Sequence, residues 1–426
     1  MSSHDTISHI AIIGAGVSGL VAAKYLLAED SFTSIDVYEQ RDSVGGLWNY
    51  TPDTEEDFLL TTTATTTDKT TAFVPKCGSK PFNSPIYEDL EANIPRMLMQ
   101  YSDLPFPADQ QLFPSHRQVL GYIQAYALTI KQEIKLGVQK IRLKQLEFGP
   151  NKWEVESIDL SNGVSSRLVY DAVIIASGHH SLEYIPRIRG IDEWRHAHPG
   201  SIIHSKDFRR AAKYEIMNVL PEITRVSAEH RSIELADSTI LTGVDGIIFC
   251  TGYLHDLPFL SPLNPHLISN GRGVEQIYQH MFYAPNPTLS FVGLPRIVSF
   301  SVCEAQAAVI ARVYSGRLKL SSIETMQQWN RDMIITRGDA HKTHTFRHPD
   351  DVIYVNSLIS WASTATPNPR LGNGGQGKLL PHWGPLECTY RRRSAAIRAA
   401  FRSHGPNRHL IRPLADLRFP DDSGSI

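Results

Sequence analysis

No stretch of eighteen apolar residues occurs in the 426-residue sequence, which excludes a hydrophobic helix long enough to cross a bilayer. The four cysteines, Cys77, Cys250, Cys303 and Cys388, form no CxxC pair. Neither a disulfide framework nor a zinc site is expected, a reducing compartment fits, and no cysteine stands out as a nucleophile. Excess charge of either sign is lacking too: 42 Lys and Arg stand against 44 Asp and Glu, a formal net charge of −2. Nothing therefore favours nucleic acid or an anionic membrane as a partner over a small molecule, and the run Arg391-Arg392-Arg393 reads as a solvated helix face. Met1-Ser2-Ser3-His4-Asp5 carries no basic leader, so the expectation is a cytoplasmic protein. One further absence is local: from Ser201 to Thr242 there is not a single glycine.

What is present begins almost at once. The β-branched run Ile10-Ala11-Ile12-Ile13 leads into Gly14-Ala15-Gly16-Val17-Ser18-Gly19, then an apolar helical run, then a second strand, Ile35-Asp36-Val37-Tyr38, ending on Glu39. This order of strand, glycine turn, helix and acid about 20 residues on is a dinucleotide-binding fingerprint. Gly14 permits the tight turn, Gly16 lets the backbone approach a pyrophosphate, Gly19 lets helix and strand pack closely, and Glu39 is placed to bond ribose hydroxyls. A carboxylate at that place argues against a 2′-phosphate, although Arg41 lies close enough to weaken the argument. FAD fits better than NAD because Val44-Gly45-Gly46-Leu47-Trp48 follows: the two glycines let the chain run tightly past the ribose and flavin, with Trp48 as an apolar wall, and Gly46, Leu47 and Trp48 are the candidate cofactor contacts. By itself the glycine pair is equally readable as a plain turn.

With 42% hydrophobic residues the chain is globular and long enough for two or three domain-sized units or one interrupted domain. Thr51 to Ser84, threonine-rich and punctuated by proline, reads as a surface loop. Arg117 to Ile130 has helical spacing with Ser115 as its N-cap, and should cover the first sheet. Ala172-Val173-Ile174-Ile175 and Gly246-Ile247-Ile248-Phe249 read as buried strands returning to a nucleotide-binding sheet, Ile223–Arg225 with Ser232–Leu235 as a β-hairpin, and Gln306 to Arg317 as a helix. Gly372-Asn373-Gly374-Gly375-Gln376-Gly377 matches the glycine pattern literally, but no strand leads into it, so it reads as a loop.

Several motifs together give the chain its resemblance to the flavin-containing monooxygenases, the NADPH-dependent class B flavoprotein monooxygenases, and especially to fungal members. Beside the two glycine motifs stand Tyr87-Glu88-Asp89-Leu90-Glu91-Ala92-Asn93-Ile94-Pro95-Arg96, Tyr101-Ser102-Asp103-Leu104-Pro105-Phe106-Pro107 and Phe113-Pro114-Ser115-His116-Arg117-Gln118. The family's identifying sequence appears as His198-Pro199-Gly200-Ser201-Ile202-Ile203-His204-Ser205-Lys206-Asp207-Phe208, with His198 in place of its first aromatic residue. Cys250-Thr251-Gly252-Tyr253 is similar to the second linker, and Gln279-His280-Met281-Phe282 through Val292-Gly293-Leu294-Pro295 to the returning flavin-domain segment. The resemblance implies FAD, NADPH as reductant, O2 and a small-molecule substrate, with one oxygen atom passed from a C4a-hydroperoxyflavin to sulfur or nitrogen. It places Asn93 beside flavin C4a as the catalytic residue, His116 and Gln118 against the cofactor, and Gly200, His204, Thr251 and Gly252 in the linkers. Taken alone, His204 reads more often as a capping or packing residue of the linker, and Asn93 reads plausibly as an Asx-turn residue before Ile94-Pro95.

The family's second glycine turn, for NADPH, should follow His204-Ser205 by about one strand, yet the glycine-free stretch cannot build it. The expected fold is α/β: a Rossmann-like FAD-binding domain in two parts, 1–180 and 256–426, interrupted by a truncated remnant of the NADPH-binding domain at 181–255. Three readings of the gap stay open: an exon lost from the gene model, electrons from an external reductase, or a catalytically weak FAD-binding relative. A flavin oxidase and a non-catalytic FAD-binding protein are the alternative functions.

Overall fold

Alternation within Ile10-Ala11-Ile12-Ile13 decides the architecture. In the computed structural model, which describes residues 7–52, 83–130, 134–135, 138–146, 152–214, 217–260, 263, 267–268, 271–297, 300–338, 340–381 and 383–417, these residues lie in strand β1 (His9–Ile13). The strand pairs in parallel with β2 (Ser34–Tyr38) on one side and β7 (Ala172–Ile175) on the other. Ile10 and Ile12 point into one apolar core and Ala11 and Ile13 into a second, so both faces of the sheet are covered. A run without polar interruption is what a parallel strand buried on both faces requires. The chain is an α/β protein with a Rossmann-like nucleotide-binding sheet.

The described residues divide into two compact units, one of 1–48, 91–178 and 255–426, the other of 49–90 and 179–254. In the first, seven strands run in the order β15-β16-β17-β7-β1-β2-β3, with β3 at Ile134–Lys135, β15 at Ile277–Tyr278, β16 at Phe282–Tyr283 and β17 at Leu289–Phe291. One face carries helices α1 (Val17–Leu27), α2 (His116–Leu128) and α4 (Phe300–Tyr314). The other carries a three-stranded antiparallel sheet, β4 (Val138–Gln145), β5 (Trp153–Asp159) and β6 (Ser165–Tyr170), whose Trp153 donates from its indole N–H to Thr288 at 2.8 Å. Helix α2 begins at a capping box, with Ser115 accepting from the Gln118 amide and Gln118 from the Ser115 amide. Helix α4 starts six residues before the span read from the sequence and ends three short of it, just before Gly316 at φ +75°. Helices α5 (Ile323–Arg337), α6 (Ala340–Thr343), α7 (Asp350–Ser363) and α8 (Pro385–Ser403) follow.

In the second unit, β9 (Ile202–His204) pairs in parallel with β13 (Ile247–Phe249), β10 (Ile223–Ser227), β11 (Ser232–Leu235) and β12 (Ile240–Leu241) form an antiparallel sheet, and β8 (Leu182–Glu183) pairs with β14 (Tyr253–Leu254). Its core gathers around Trp194 of α3 (Ile191–Ala197), with Val226, Ile233 and Phe249. The expected hairpin is there. The two buried runs part company, however: β7 joins the N-terminal sheet, whereas β13 pairs with β9 alone, because hydrophobicity marks a strand as buried without naming its neighbour. Of the threonine-rich segment, residues 53–82 lie outside the described residues, and Ser84 at its end is buried rather than on the surface. Arg391 is not part of a solvated face; its Nε donates to the buried Asp351 at 2.5 Å, a partner 40 residues away that helical spacing could not reveal. No described helix is long and apolar enough to cross a membrane.

Two buried polar clusters tie the C-terminal chain to α1. Glu29, just beyond the helix, takes a bidentate fork from Arg317 at 2.7 and 3.0 Å, with Arg312 beside it. The two arginines also donate to the carbonyls of Ala362, Thr366, Gly375, Gln376 and Lys378, which fixes the glycine-rich loop at 372–377 as a clamp on this pair. Glu304, fully buried in α4, accepts from the Ser102 amide at 2.8 Å and hydroxyl at 2.7 Å, with the Lys378 ammonium 3.5 Å away. Removing one partner of such a pair leaves the other charge buried and uncompensated. Glu29→Ala should therefore lower stability by about 3–5 kcal/mol, read as a fall in the urea midpoint.

Beneath the β15–β16 turn lie two imidazoles, His280 and His344, with their Nδ1 atoms 3.0 Å apart. Burial holds both below the ordinary histidine range, His344 pushed down to about 4. An unfolded chain takes up protons near pH 6.5 where the folded chain does not, so stability present above about pH 6.5 is lost as pH falls toward 4. Urea midpoints at pH 7 and pH 5 should show this fall, and His280→Phe/His344→Phe should lessen it.

Candidate functional site

The turn between β1 and α1 is shaped by what its residues lack. Gly14 sits at φ +108°, donates its N–H to Tyr38 O at 2.7 Å, and would place a Cβ 2.5 Å from the Ala176 carbonyl oxygen. A Cβ at Gly19 would lie 1.8 Å from Gly14 O, an approach no side chain survives. Gly16 is the N-cap of α1 and offers no side-chain acceptor, so the first amides of the helix are left for another anion or acceptor.

Glu39 closes this turn from the side. Its Oε2 accepts from the Ala15 amide at 2.8 Å and its Oε1 from the Arg41 amide at 3.0 Å, and the residue is buried. Each oxygen keeps a lone pair beyond those bonds. Burial pulls the Arg41 guanidinium below its usual range, while Glu39 and Asp42 act in the opposite direction. The second glycine motif folds directly onto the first: Gly45 donates its N–H to Ala15 O at 3.1 Å, and Gly46, at φ +56°, would carry a Cβ 3.1 Å from Gly16 Cα. A 3-10 turn, Gly46–Trp48, carries Leu47 and the half-buried Trp48, which packs against the main core. The glycine pair is thus more than a plain turn, since it packs onto the first loop, and a side chain at 46 would crowd Gly16 and sit at a strained positive φ.

Asn93 reaches the same unit by backbone pairing. Ala92 donates to Pro114 O at 2.8 Å, Arg96 to Leu112 O at 2.9 Å, and Glu91 forms a bridge with Ser115, so the strip around Asn93 runs antiparallel to the segment entering α2. That pairing sets Asn93 opposite Phe113, three residues before His116, the buried first residue of α2, and five before Gln118, whose side-chain oxygen accepts from the Ser115 amide at 2.9 Å. Ala92, Ile94 and Pro95 are buried while Asn93 is exposed, and its side chain bonds no described residue. The Asx turn that could have explained it is not formed.

The linker residues belong to the second unit. His204 ends β9 opposite Phe249 of β13, its Nδ1 accepts from the Lys206 amide at 3.1 Å, and its ring stands edge-on to Tyr253 at 5.1 Å. Burial lowers its pKa, with Glu183 acting in the opposite direction. Thr251 donates its hydroxyl to Tyr184 O, and Gly252 O accepts from the Tyr184 amide at 3.0 Å. Gly200, at φ +79°, turns the chain into β9, and His198 takes up the place of the missing aromatic residue by packing edge-on to Trp194. Between β9 and β10 the described chain forms only a 3-10 turn at Ala211–Lys213. A strand followed by a glycine turn and helix is not built there among the described residues.

One group at the first unit was not picked out from the sequence. Gly293, at φ +81°, would place a Cβ 2.3 Å from Ser18 Oγ, which lies 3.5 Å from Cys303 Sγ; Gln306 accepts the Gly293 amide at 2.8 Å. Burial pushes the Cys303 thiol up to about 11, so it packs as a small apolar group. The spacing of Cys303 and Gln306 on one face of α4 was the available signal, but nothing local ties that face to α1.

The comparisons agree with this geometry. A family described as Flavin-binding monooxygenase-like matches residues 78–220 and 213–370, and an NAD(P)-binding Rossmann-like domain matches residues 12–71. The two stretches of the first match meet and overlap at 213–220. Flavin-containing monooxygenase FMO GS-OX4 of Arabidopsis thaliana is 33% identical over 374 residues, covering 75% of this chain and 76% of its own; FMO GS-OX5 of the same plant is 32% identical over 378 residues, with 75% and 76% covered. In structure, the S-allyl-L-cysteine S-oxygenase of Allium sativum aligns over 96% of each chain with a TM-score of 0.74 at 24% identity. Tmm from Pelagibacter sp. strain HTCC7211 aligns over 83% of this chain and 86% of its own, with a TM-score of 0.64 at 21% identity, so these two likenesses are ones of fold.

The residues present fit a dinucleotide: a bare helix N-terminus, two backbone loops that meet without a Cβ between them, and a carboxylate at the end of β2. Gly19→Ala should force α1 off the turn, and the ratio of flavin to protein absorbance after purification should fall at least about tenfold, since a misplaced helix terminus forfeits its pyrophosphate contacts.

Proposed function

Since this chain belongs to the flavin-binding monooxygenase-like family, oxidoreductases that work with FAD and NADPH, we propose that it transfers one oxygen atom from O2 to a sulfur or nitrogen atom of a small metabolite. The observation that carries the flavin part is the contact of the two glycine loops at Gly16 and Gly46. When bound, FAD supplies the redox chemistry and the activation of O2. The protein's part is to hold, orient and shield. Gly14, Gly16 and Gly19 would let the α1 amides take the pyrophosphate, Glu39 would accept from ribose hydroxyls with Arg41 beside it, and Gly46, Leu47 and Trp48 would line the ribose and flavin. Asn93 is assigned as the catalytic residue because its amide is exposed and uncommitted, free to direct a hydrogen bond at the reacting atoms. His116 and Gln118 would support the cofactor from the start of α2. Gly200, His204, Thr251 and Gly252 would set the linkers of a remnant domain at 181–255, between the flavin-binding parts 1–180 and 256–426.

The NADPH side does not fit. The described residues between β9 and β10 offer no glycine turn, and the family match breaks at the same place, 213–220. We infer that the segment the family uses for its nicotinamide turn is missing between β9 and β10. That observation favours a second reading, in which electrons come from an external reductase or the protein works as a flavin oxidase returning substrate electrons to O2 as peroxide.

Anaerobic stopped-flow mixing with NADPH should leave the oxidised flavin band of the FAD-loaded protein unbleached, whereas photoreduction should bleach it. Admitting O2 and a thioether to the photoreduced protein should then yield sulfoxide and water. Each turnover uses two electrons and two protons, one oxygen atom entering the sulfide and the other leaving as water. Stoichiometric peroxide without sulfoxide would replace this function by the oxidase reading, and fast bleaching by NADPH would show that a nicotinamide site persists.

A further inference from the structure

The turn joining β15 to β16 carries a second polar feature that the flavin site does not use. Its central residues, Gln279 and His280, sit at φ +50° and +57°, and the Met281 amide closes the turn onto Tyr278 O at 3.0 Å. Turns of this hand favour asparagine and glycine, because other side chains crowd the backbone at positive φ. Residues held in such a conformation cluster at functional sites. Here the conformation drives an imidazole inward: His280 is 1% exposed, in a cage where the rings of Trp329, Phe346 and Tyr354 stand nearly perpendicular to it at 5.2, 5.0 and 5.4 Å.

The hydrogen bonds fix its tautomer. His344 Nε2 lies 2.8 Å from Val274 O, and a carbonyl only accepts, so His344 carries its proton on Nε2 and presents a lone pair at Nδ1. His280 Nδ1, 3.0 Å from that lone pair, must then be the donor, which leaves His280 Nε2 as a bare acceptor. No described residue bonds Nε2, and His280 lines a concavity of about 200 Å³ walled by α5 and α7. A second concavity of about 260 Å³ adjoins it, sharing Gln279 and Ser357.

The geometry points to a binding site for a neutral, planar aromatic molecule of one or two rings that donates an O–H or N–H to His280 Nε2. Aromatic walls supply the apolar contact for such a body, and one precisely directed acceptor supplies orientation. Charge argues for neutrality. Arg337 lies over the Phe346 ring at 4.8 Å and is paired with Asp350 at 3.3 Å and the Thr345 carbonyl at 3.1 Å, so a cation entering the cage meets a guanidinium and an anion meets no free partner among these groups. None of the residues assigned to the flavin lines this concavity, so the site is distinct from it and stands independently of the oxygenation reading.

The test uses the FAD-loaded full chain with 2-naphthol and 2-methoxynaphthalene, which share a ring system and differ in the donor, titrated by ligand-observed NMR. Saturable binding of 2-naphthol is expected, with the methoxy compound weaker by about tenfold or more, since a site built around a hydrogen bond rejects the analogue that lacks it. Ile353→Trp, at a wall residue that is 62% exposed and outside the core, should block the concavity and abolish binding while the flavin spectrum stays unchanged. His280→Phe should do the same if the chain folds; Ile353→Trp decides the matter if it does not. Equal affinity for the two compounds, binding that survives Ile353→Trp, or no saturable binding of 2-naphthol would each overturn the assignment.

Discussion

Everything at the flavin-binding end rests on backbone touching backbone. Gly19 packs its Cα against the Gly14 carbonyl and Gly14 against the end of β7, both closer than a Cβ permits, and Gly46 packs against Gly16 so tightly that a Cβ would have to push its neighbour aside by a few tenths of an ångström. The contacts act in series: the helix must sit on its own turn before its amides converge, and the second loop must sit on the first before both face one ligand. Glycine costs conformational entropy in the unfolded chain, so a series of such contacts needs rigid support from around it.

That support comes from chain far away in sequence. Glu29 at the end of α1 is held by Arg317, and the arginine pair gathers the carbonyls of a loop at 372–377 that by pattern alone mimics a phosphate-binding turn. Its glycines serve instead to bend carbonyls toward buried guanidinium groups; Gly375, for example, sits at φ +84° and gives its carbonyl to Arg317. Gln306 and Glu304, both fully buried in α4, hold the Gly293 turn and the Ser102 segment in the same way. Buried charges of this kind are tolerated because they are paired and hydrogen-bonded, and they fix which segments meet.

The second unit is built on a smaller scale than the first. Its strands pair in twos and threes around a small core at Trp194, and His204 is occupied with its own turn and with Tyr253. Oxygen transfer and reduction are separate demands on a flavoprotein. The glycine turn, helix N-terminus and Glu39 carboxylate that fit one dinucleotide are built, and a second glycine turn between β9 and β10 is not, among the described residues.

The sequence by itself determined the local elements and the family. β1, α1, the capping box at Ser115, the β10–β11 hairpin and the glycine turn are read from periodicity, caps and turn residues because each depends on neighbours a few positions away. The absence of glycine from Ser201 to Thr242 was equally plain, since only composition is needed to see it. Tertiary structure alone decided which elements meet. That Gly46 lies on Gly16, that β13 joins β9 rather than the N-terminal sheet, that Arg391 turns inward to Asp351, and that His280 and His344 share a hydrogen bond are contacts between residues distant in the chain. Hydrophobic pattern says only that a residue is buried; partner and distance are set by the packing of the whole chain, in which one long-range bond fixes the place of the next.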